Sequence, residues 1–270
     1  MELVVKSTGT ATPAYAYTGG KAFDAALPCV VFVHGALNDH SVWTLLARWF
    51  AHHGHGVLAV DLPGHGRSGG APLASVEALA DWLLALLDAA GVRRAAFVGH
   101  SMGSLIALEV AARAPQRVTR LVTLGTAYPM KVSEALLNTA RDTPLRAIDM
   151  VNVLSHSGIA AKPSYPGPGA WLHGSSRALM RRVQALQTGV NLFHHDFSVC
   201  DRYAGGLEAA AKLQCPASLV LGAHDQMTSP KQARALADAL QARVHNVAAG
   251  HALMSEAPDA VLAALRSALT

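Results

Sequence analysis

Ala95-Ala96-Phe97-Val98-Gly99-His100-Ser101-Met102-Gly103-Ser104-Leu105-Ile106 is the stretch that decides the fold. An apolar run of strand character meets a serine set between two glycines, and the helical run Leu105 to Ala112 follows directly. A strand reversing sharply into a helix holds such a serine in a strained backbone conformation, and a side chain at Gly99 or Gly103 would collide with neighbouring backbone. The hydroxyl then stands at a helix N-terminus, where free N–H groups and the helix dipole favour developing negative charge. Ser101 is therefore the candidate nucleophile.

A serine nucleophile needs a base, and the base needs an orienting group. Ala217 to Gly222 reads as a buried strand with Asp225 just past its end; Val244 to Val247 reads as the next, followed by Gly250-His251 on a loop. Asp225 and His251 thus fall beyond the C-terminal ends of strands, the edge at which open α/β sheets build their sites. An oxyanion site needs a further backbone N–H from a second loop to meet that of Met102. The strand Cys29 to Val33 ends in His34-Gly35-Ala36-Leu37, which offers Ala36, with Leu37 as the alternative donor. His34 reads as a structural brace for that loop.

These residues, with the loop Asp61-Leu62-Pro63-Gly64-His65-Gly66-Arg67-Ser68, resemble the α/β-hydrolase superfamily, in its capped, single-domain esterase and lactonase branch. The resemblance spans essentially the whole chain. It implies Ser101, Asp225 and His251 as the catalytic triad, and it marks the Asp61 to Ser68 loop, His65 included, as a structural feature rather than a site. It does not choose the substrate.

Alternating short apolar runs and amphipathic stretches predict strands near residues 2–6, 14–17, 29–33, 56–60, 95–99, 118–123, 217–221 and 243–247, hence a mostly parallel eight-stranded sheet flanked by helices. A helix over residues 76–90 is expected to be capped by Ser75 and ended by Gly91, and a last helix to start at Pro258 with Val261, Leu262, Leu265 and Leu269 inward. About eighty residues separate the strand ending near Leu124 from the one at Ala217, too many for an ordinary crossover. Helical patterns at 132–141, 145–154, 176–188 and 191–203, divided by a Pro/Gly-rich run at 162–169, resemble a helical cap over the active site. The expected organisation is one domain, with a core of 1–127 and 205–270 and a cap insertion of 128–204.

Composition agrees with a compact enzyme: 270 residues, 51% hydrophobic. Three cysteines, Cys29, Cys200 and Cys215, make no disulfide framework and read as buried free thiols in a reducing compartment. Met1 to Lys6 has neither a basic leader nor a long apolar stretch, so a cytoplasmic protein without a membrane span is expected. The net charge of +4 is scattered, and no nucleic-acid motif, P-loop or zinc spacing accompanies it. The histidine groups 52, 53 and 55 and 194–195 lack ligand geometry, so neither metal nor organic cofactor is expected.

The expected chemistry is hydrolysis of a small-molecule carboxylic ester or lactone through an acyl-enzyme. Serine at the elbow argues against relatives that use aspartate there. Carbon–carbon bond hydrolases of ring-cleavage products and cofactor-free perhydrolases remain alternatives within the resemblance, and a hydrolase-fold small-ligand receptor is the non-enzymatic one. Arg177 and Arg181, with Arg182 and Arg202 nearby, read as a solvated basic face, with Leu179, Val183 and Leu186 packing inward.

Overall fold

The computed structural model describes residues 1–7, 9–157, 172–187 and 189–269. Strands β1 (Glu2–Ser7), β2 (Thr10–Tyr17) and β3 (Cys29–Val33) lead to helix α1 (Thr44–His52), β4 (Gly56–Val60), α2 (Val76–Ala89), β5 (Ala95–His100), α3 (Met102–Arg113) and β6 (Val118–Leu124). Helices α4 (Glu134–Asp142), α5 (Pro144–Ser155), α6 (Leu172–Leu186), α7 (Leu192–Arg202) and α8 (Gly206–Ala211) precede β7 (Ala217–Gly222), α9 (Pro230–Ala239), β8 (Arg243–Val247), α10 (Leu253–Glu256) and α11 (Pro258–Leu269). Each of these strands overlaps an expected apolar run, but β2 starts at Thr10, four residues before the expected 14–17.

One eight-stranded sheet results, in the order β1-β2-β4-β3-β5-β6-β7-β8. The β1–β2 and β2–β4 pairings are antiparallel and the rest parallel. Strand alternation divides the core in two. Val31, Val33, Phe97, Leu121 and Leu219 pack on the side of α2, α3 and α9; Val30, Phe32, Val98, Val122 and Val220 pack on the side of α1 and α11. Because both faces are covered, β3 and β4 are apolar at every position, and each fully buried Val or Phe contributes roughly 1.5–3 kcal/mol.

The helices begin and end for local reasons. The Ser75 side chain accepts the Ala78 N–H at 3.1 Å, and Gly91, at φ +69°, follows the end of α2. In α11, Val261, Ala264 and Leu265 are buried, whereas Leu262 and Leu269 are only half-buried.

Chain order in the sheet reverses around β3, which has β4 on one side and β5 on the other. The loops leaving β3 and β5, His34 to Leu37 and Ser101, therefore meet at the switch point where open sheets form a crevice. Helices α4 to α7 lie between β6 and β7 and have a small core of their own, including Leu136, Ile148, Val183, Phe193 and Phe197. Leu37, from the loop after β3, is fully buried in that same cluster. The buried side of α6 is Met180 and Val183, while Leu186 is 46% exposed, contrary to the inward stripe expected from sequence. A 3.6-residue period carries position 186 off the face set by 180 and 183, toward solvent. The Pro/Gly-rich run at 162–169 and Thr188 lie outside the described residues.

Candidate active site

Ser101 has φ 52° and ψ −120°, a left-handed conformation that L-residues rarely adopt, at the junction of β5 and α3. The flanking glycines are required by space. A Cβ on Gly99 would lie 2.1 Å from the Gly103 carbonyl oxygen, and one on Gly103 would lie 2.3 Å from that of Val33. Ser104 supports the turn, its N–H donating to the Ser101 carbonyl at 2.8 Å and its hydroxyl lying 2.7 Å from that of Thr126.

His251 and Asp225 come together across the ends of β7 and β8, with Nδ1 of the imidazole 2.8 Å from Asp225 Oδ2. Both are buried, at 6% and 5% exposure. Asp225 is held on every side: the Met227 and Thr228 N–H groups donate to Oδ1, and the Thr228 hydroxyl donates to Oδ2, all at 2.8 Å. The same hydroxyl is 3.1 Å from His251 Nδ1. Burial works against ionisation of Asp225, but the His251 ring and the Thr228 donors outweigh it and hold the carboxyl below the ordinary carboxylate range. With Nδ1 committed to Asp225, Nε2 is the free nitrogen of His251. Ser101 and His251 line one cavity, although their side chains are not hydrogen-bonded to each other; such contacts commonly tighten only when substrate arrives.

His100 fastens the histidine loop from below. Its Nε2 donates to the His251 carbonyl at 2.9 Å, which assigns the proton to Nε2 and leaves a buried, unpartnered Nδ1. Burial, with the His251 ring 4.7 Å away, pushes its pKa down to about 3, so it is neutral. Glu256 holds the loop from the other side, accepting the Gly250 N–H at 3.2 Å and the Ser157 N–H at 3.0 Å.

In the loop after β3, the Leu37 N–H is already taken by Asp196 Oδ2 at 2.8 Å, so Leu37 is not available as the alternative oxyanion donor. No hydrogen-bond acceptor among the described residues takes the N–H of Ala36 or of Met102. His34 is a brace, as expected: Nε2 accepts the Leu62 N–H at 3.1 Å while Nδ1 faces the Gly35 carbonyl, and burial lowers its pKa to about 4. The Asp61 to Ser68 loop is likewise internally bonded, with Asp61 receiving the N–H groups of His40 and Arg67.

The cavity over Ser101 measures about 840 Å³. Its walls include Met130, Met180, Met227, Met254, Leu136, Phe197 and Lys131, and among the described residues no acidic side chain lines it. Of the arginines among the described residues of the insertion, Arg182 alone reaches it, and that guanidinium is bound to Asp39 at 2.7 Å. Arg177 and Arg181 instead flank Asp149, and Arg202 donates to the Ala74 carbonyl. Asp39, His40 and Asp61 bring ligand-type atoms within 4.8 Å of one another, but Ser41, Arg182 and Arg67 already engage these carboxylates. Cys29 and Cys200 are buried free thiols; Cys215 is only half-buried.

Sequence reasoning passes over Thr228, Asp196, Glu256 and the anchoring bond of His100. Of these only Thr228 leaves a local signal, the turn Asp225-Gln226-Met227-Thr228 leading into the Ser229-Pro230 helix start.

Comparison with known proteins agrees with this architecture. A family model described as alpha/beta hydrolase fold matches residues 28–159. The chain is 29% identical to esterase YbfF of Escherichia coli over 251 residues, 88% of this chain and 91% of the esterase. It is 33% identical to the mouse sn-1-specific diacylglycerol lipase ABHD11 over 135 residues, where it spans only 44% of the lipase's length. The solved enol-lactonase from Burkholderia xenovorans LB400 superposes with a TM-score of 0.79 at 25% identity, covering 96% of both chains. Among the described residues, no helix is long and apolar enough to cross a membrane. The sheet order, the glycine-flanked turn at Ser101 and these likenesses converge, and the chain has the α/β-hydrolase fold.

Proposed function

We propose that the protein is a serine hydrolase that cleaves an uncharged carboxylic ester or lactone through an acyl-enzyme. The observation that carries this reading is the strained Ser101 at the tip of β5, sharing one cavity with a histidine whose Nδ1 is committed to a buried carboxylate. In the proposed first step, Nε2 of His251 takes the Ser101 proton as Oγ attacks the carbonyl carbon, and Asp225 stabilises the imidazolium. The N–H groups of Ala36 and Met102 receive the tetrahedral oxyanion, the alcohol leaves with the proton from His251, and water then repeats the sequence to free the acid. Helices α4 to α7 act as the cap, roofing the site and supplying the acyl pocket. Neither metal nor organic cofactor enters these steps.

The Met- and Leu-rich walls support an apolar acyl group, because methionine fills and adapts to irregular space. Among the described residues no carboxylate lines the walls, and the two cations there are engaged, Arg182 by Asp39 and Lys131 by the Asp201 carbonyl, so a neutral substrate is the better match. The likeness to an esterase and to an enol-lactonase supports ester or lactone chemistry. The reading is tested by turnover of p-nitrophenyl butyrate and a lactone panel. Ser101→Ala and His251→Ala should each lower kcat by about three to six orders of magnitude, and the double variant should be scarcely worse than either. Retention of near wild-type turnover by folded Ser101→Ala would end the proposal.

A further inference from the structure

The oxyanion loop is fastened to the helical insertion by one buried carboxylate. Asp196, on α7, is 2% exposed, and its Oδ2 accepts both the Leu37 N–H and Nε2–H of His65, each at 2.8 Å. On its other side, His65 Nδ1 lies 3.0 Å from the Pro63 carbonyl. A carbonyl and a carboxylate are both acceptors, so both ring nitrogens of His65 must donate, and the ring is an imidazolium paired with Asp196. The ring is 2% exposed. Around it stand Asp196 from α7, Asp61 from the end of β4, and His34 from the end of β3, its ring centroid 5.0 Å away. Burial opposes the charge on His65, but Asp196 outweighs it and raises the pKa.

The bond to Leu37 acts on the neighbouring donor. The Leu37 N–H belongs to the same peptide unit as the Ala36 carbonyl, and that carbonyl accepts from Asn38 Nδ2 at 3.0 Å. The plane is thus held at both ends. Leu37 itself sits at φ 54°, a conformation that must be imposed from outside, and its side chain is plugged into the core of the insertion. The Ala36 N–H lies in the preceding peptide unit, joined to this plane through φ and ψ of Ala36, so holding the plane restricts the directions that N–H can take.

We propose that Asp196, with His65 as its imidazolium counter-ion, is a positioning residue for the oxyanion site: it clamps the Ala36–Leu37 peptide, consumes the Leu37 N–H, and so sets Ala36 as the donor. This rests on the serine-hydrolase reading above. It also makes the insertion a working part of the catalytic geometry, because the clamp belongs to α7 and its target to the loop after β3.

The test pairs kinetics with ring titration on the full chain. Asp196→Asn should lower kcat on p-nitrophenyl butyrate by about ten- to a hundredfold with KM changed less than about threefold, less than the loss from removing a donor outright. Affinity for a trifluoromethyl ketone, which forms the tetrahedral adduct, should fall in proportion to kcat/KM. Asp196→Glu should recover part of the loss. Because a lone buried His65 could unfold the single variant, Asp196→Leu/His65→Leu is the second arm: apolar replacement of a whole buried pair is commonly tolerated. That variant should be folded and remain slow. Wild-type kcat in it would overturn the proposal, as would a wild-type His65 ring carrying one proton at neutral pH by 15N NMR. If Ser101→Ala stays active, the hydrolase reading fails, whereas the His65 titration still reports whether the clamp exists.

Discussion

Replacing Gly103 by alanine should destabilise the protein and slow it, although the same change in an ordinary helix would stabilise. Gly103 lies in the first turn of α3, where alanine gains about 1 kcal/mol by helix propensity. Here the new Cβ would meet three backbone atoms: the Val33 oxygen at 2.3 Å, the His34 oxygen at 2.5 Å and the Val33 carbon at 2.8 Å. The first is about 1 Å short of the 3.4 Å at which ordinary contact begins. No side chain can swing aside, so either α3 or the end of β3 must move. Overpacking of this kind costs about 3 kcal/mol, leaving a net loss of about 2 kcal/mol and a Tm lower by roughly 4–8 °C. Val33 and His34 lead into the oxyanion loop and α3 carries Ser101, so the displacement falls between two parts of the proposed machinery. A misplacement of about 1 Å there corresponds to about a hundredfold in kcat. The assay is a thermal melt together with p-nitrophenyl butyrate turnover, with Gly91→Ala as control. Gly91 shares a positive φ but has open space around it, so the control should lose about 1 kcal/mol and keep its activity. An unchanged or raised Tm in Gly103→Ala would refute the steric reasoning.

Thr228→Val removes the hydroxyl on Asp225 Oδ2 and should lower kcat about three- to thirtyfold, with Thr228→Ser restoring most of it; equal losses in both variants would discard the hydroxyl's role. His34 and His100, lowered by burial to about 4 and about 3, favour the neutral ring in the fold, so their contribution is complete above the ordinary histidine value of 6.5 and is lost as the pH falls through those values. Melting temperature should therefore drop progressively below about pH 6.5, and His100→Gln, which keeps a donor for the His251 carbonyl, should flatten the slope. Arg177→Ala and Arg181→Ala, whose partner is Asp149, should each change kcat/KM by less than about tenfold; a hundredfold loss confined to acidic esters would show that the insertion reads substrate charge.

What the sequence discloses and what it hides separate along a physical line. Gly99, Ser101 and Gly103 are legible because the elbow is local: five consecutive residues carry the whole steric requirement. Asp225 and His251 are legible because each follows a strand whose apolar run is plain, and the sheet brings all strand ends to one edge. The link between Asp196 and His65 spans 131 residues, and each residue alone looks ordinary, one in a pair of histidine neighbours and the other in a structural loop. Leu37 misleads in the same way, since nothing nearby in sequence reveals that its N–H is occupied. Leu186 fails for another reason: three leucine- and valine-like positions on a helix suggest a stripe, but only the packing of α5 and α7 decides where that stripe ends.

The order of these parts along the chain has a consequence for biosynthesis. His100 and His251, joined by a hydrogen bond in the finished molecule, are 151 residues apart. At about 5–20 residues per second, a ribosome makes the elbow roughly 8–30 s before the histidine loop that completes the cluster. The growing chain therefore carries the candidate nucleophile Ser101 for that interval without Asp225 or His251. On the proposed mechanism, activity waits until the last quarter of the polypeptide has docked, and the first turnover would report completion of the whole fold.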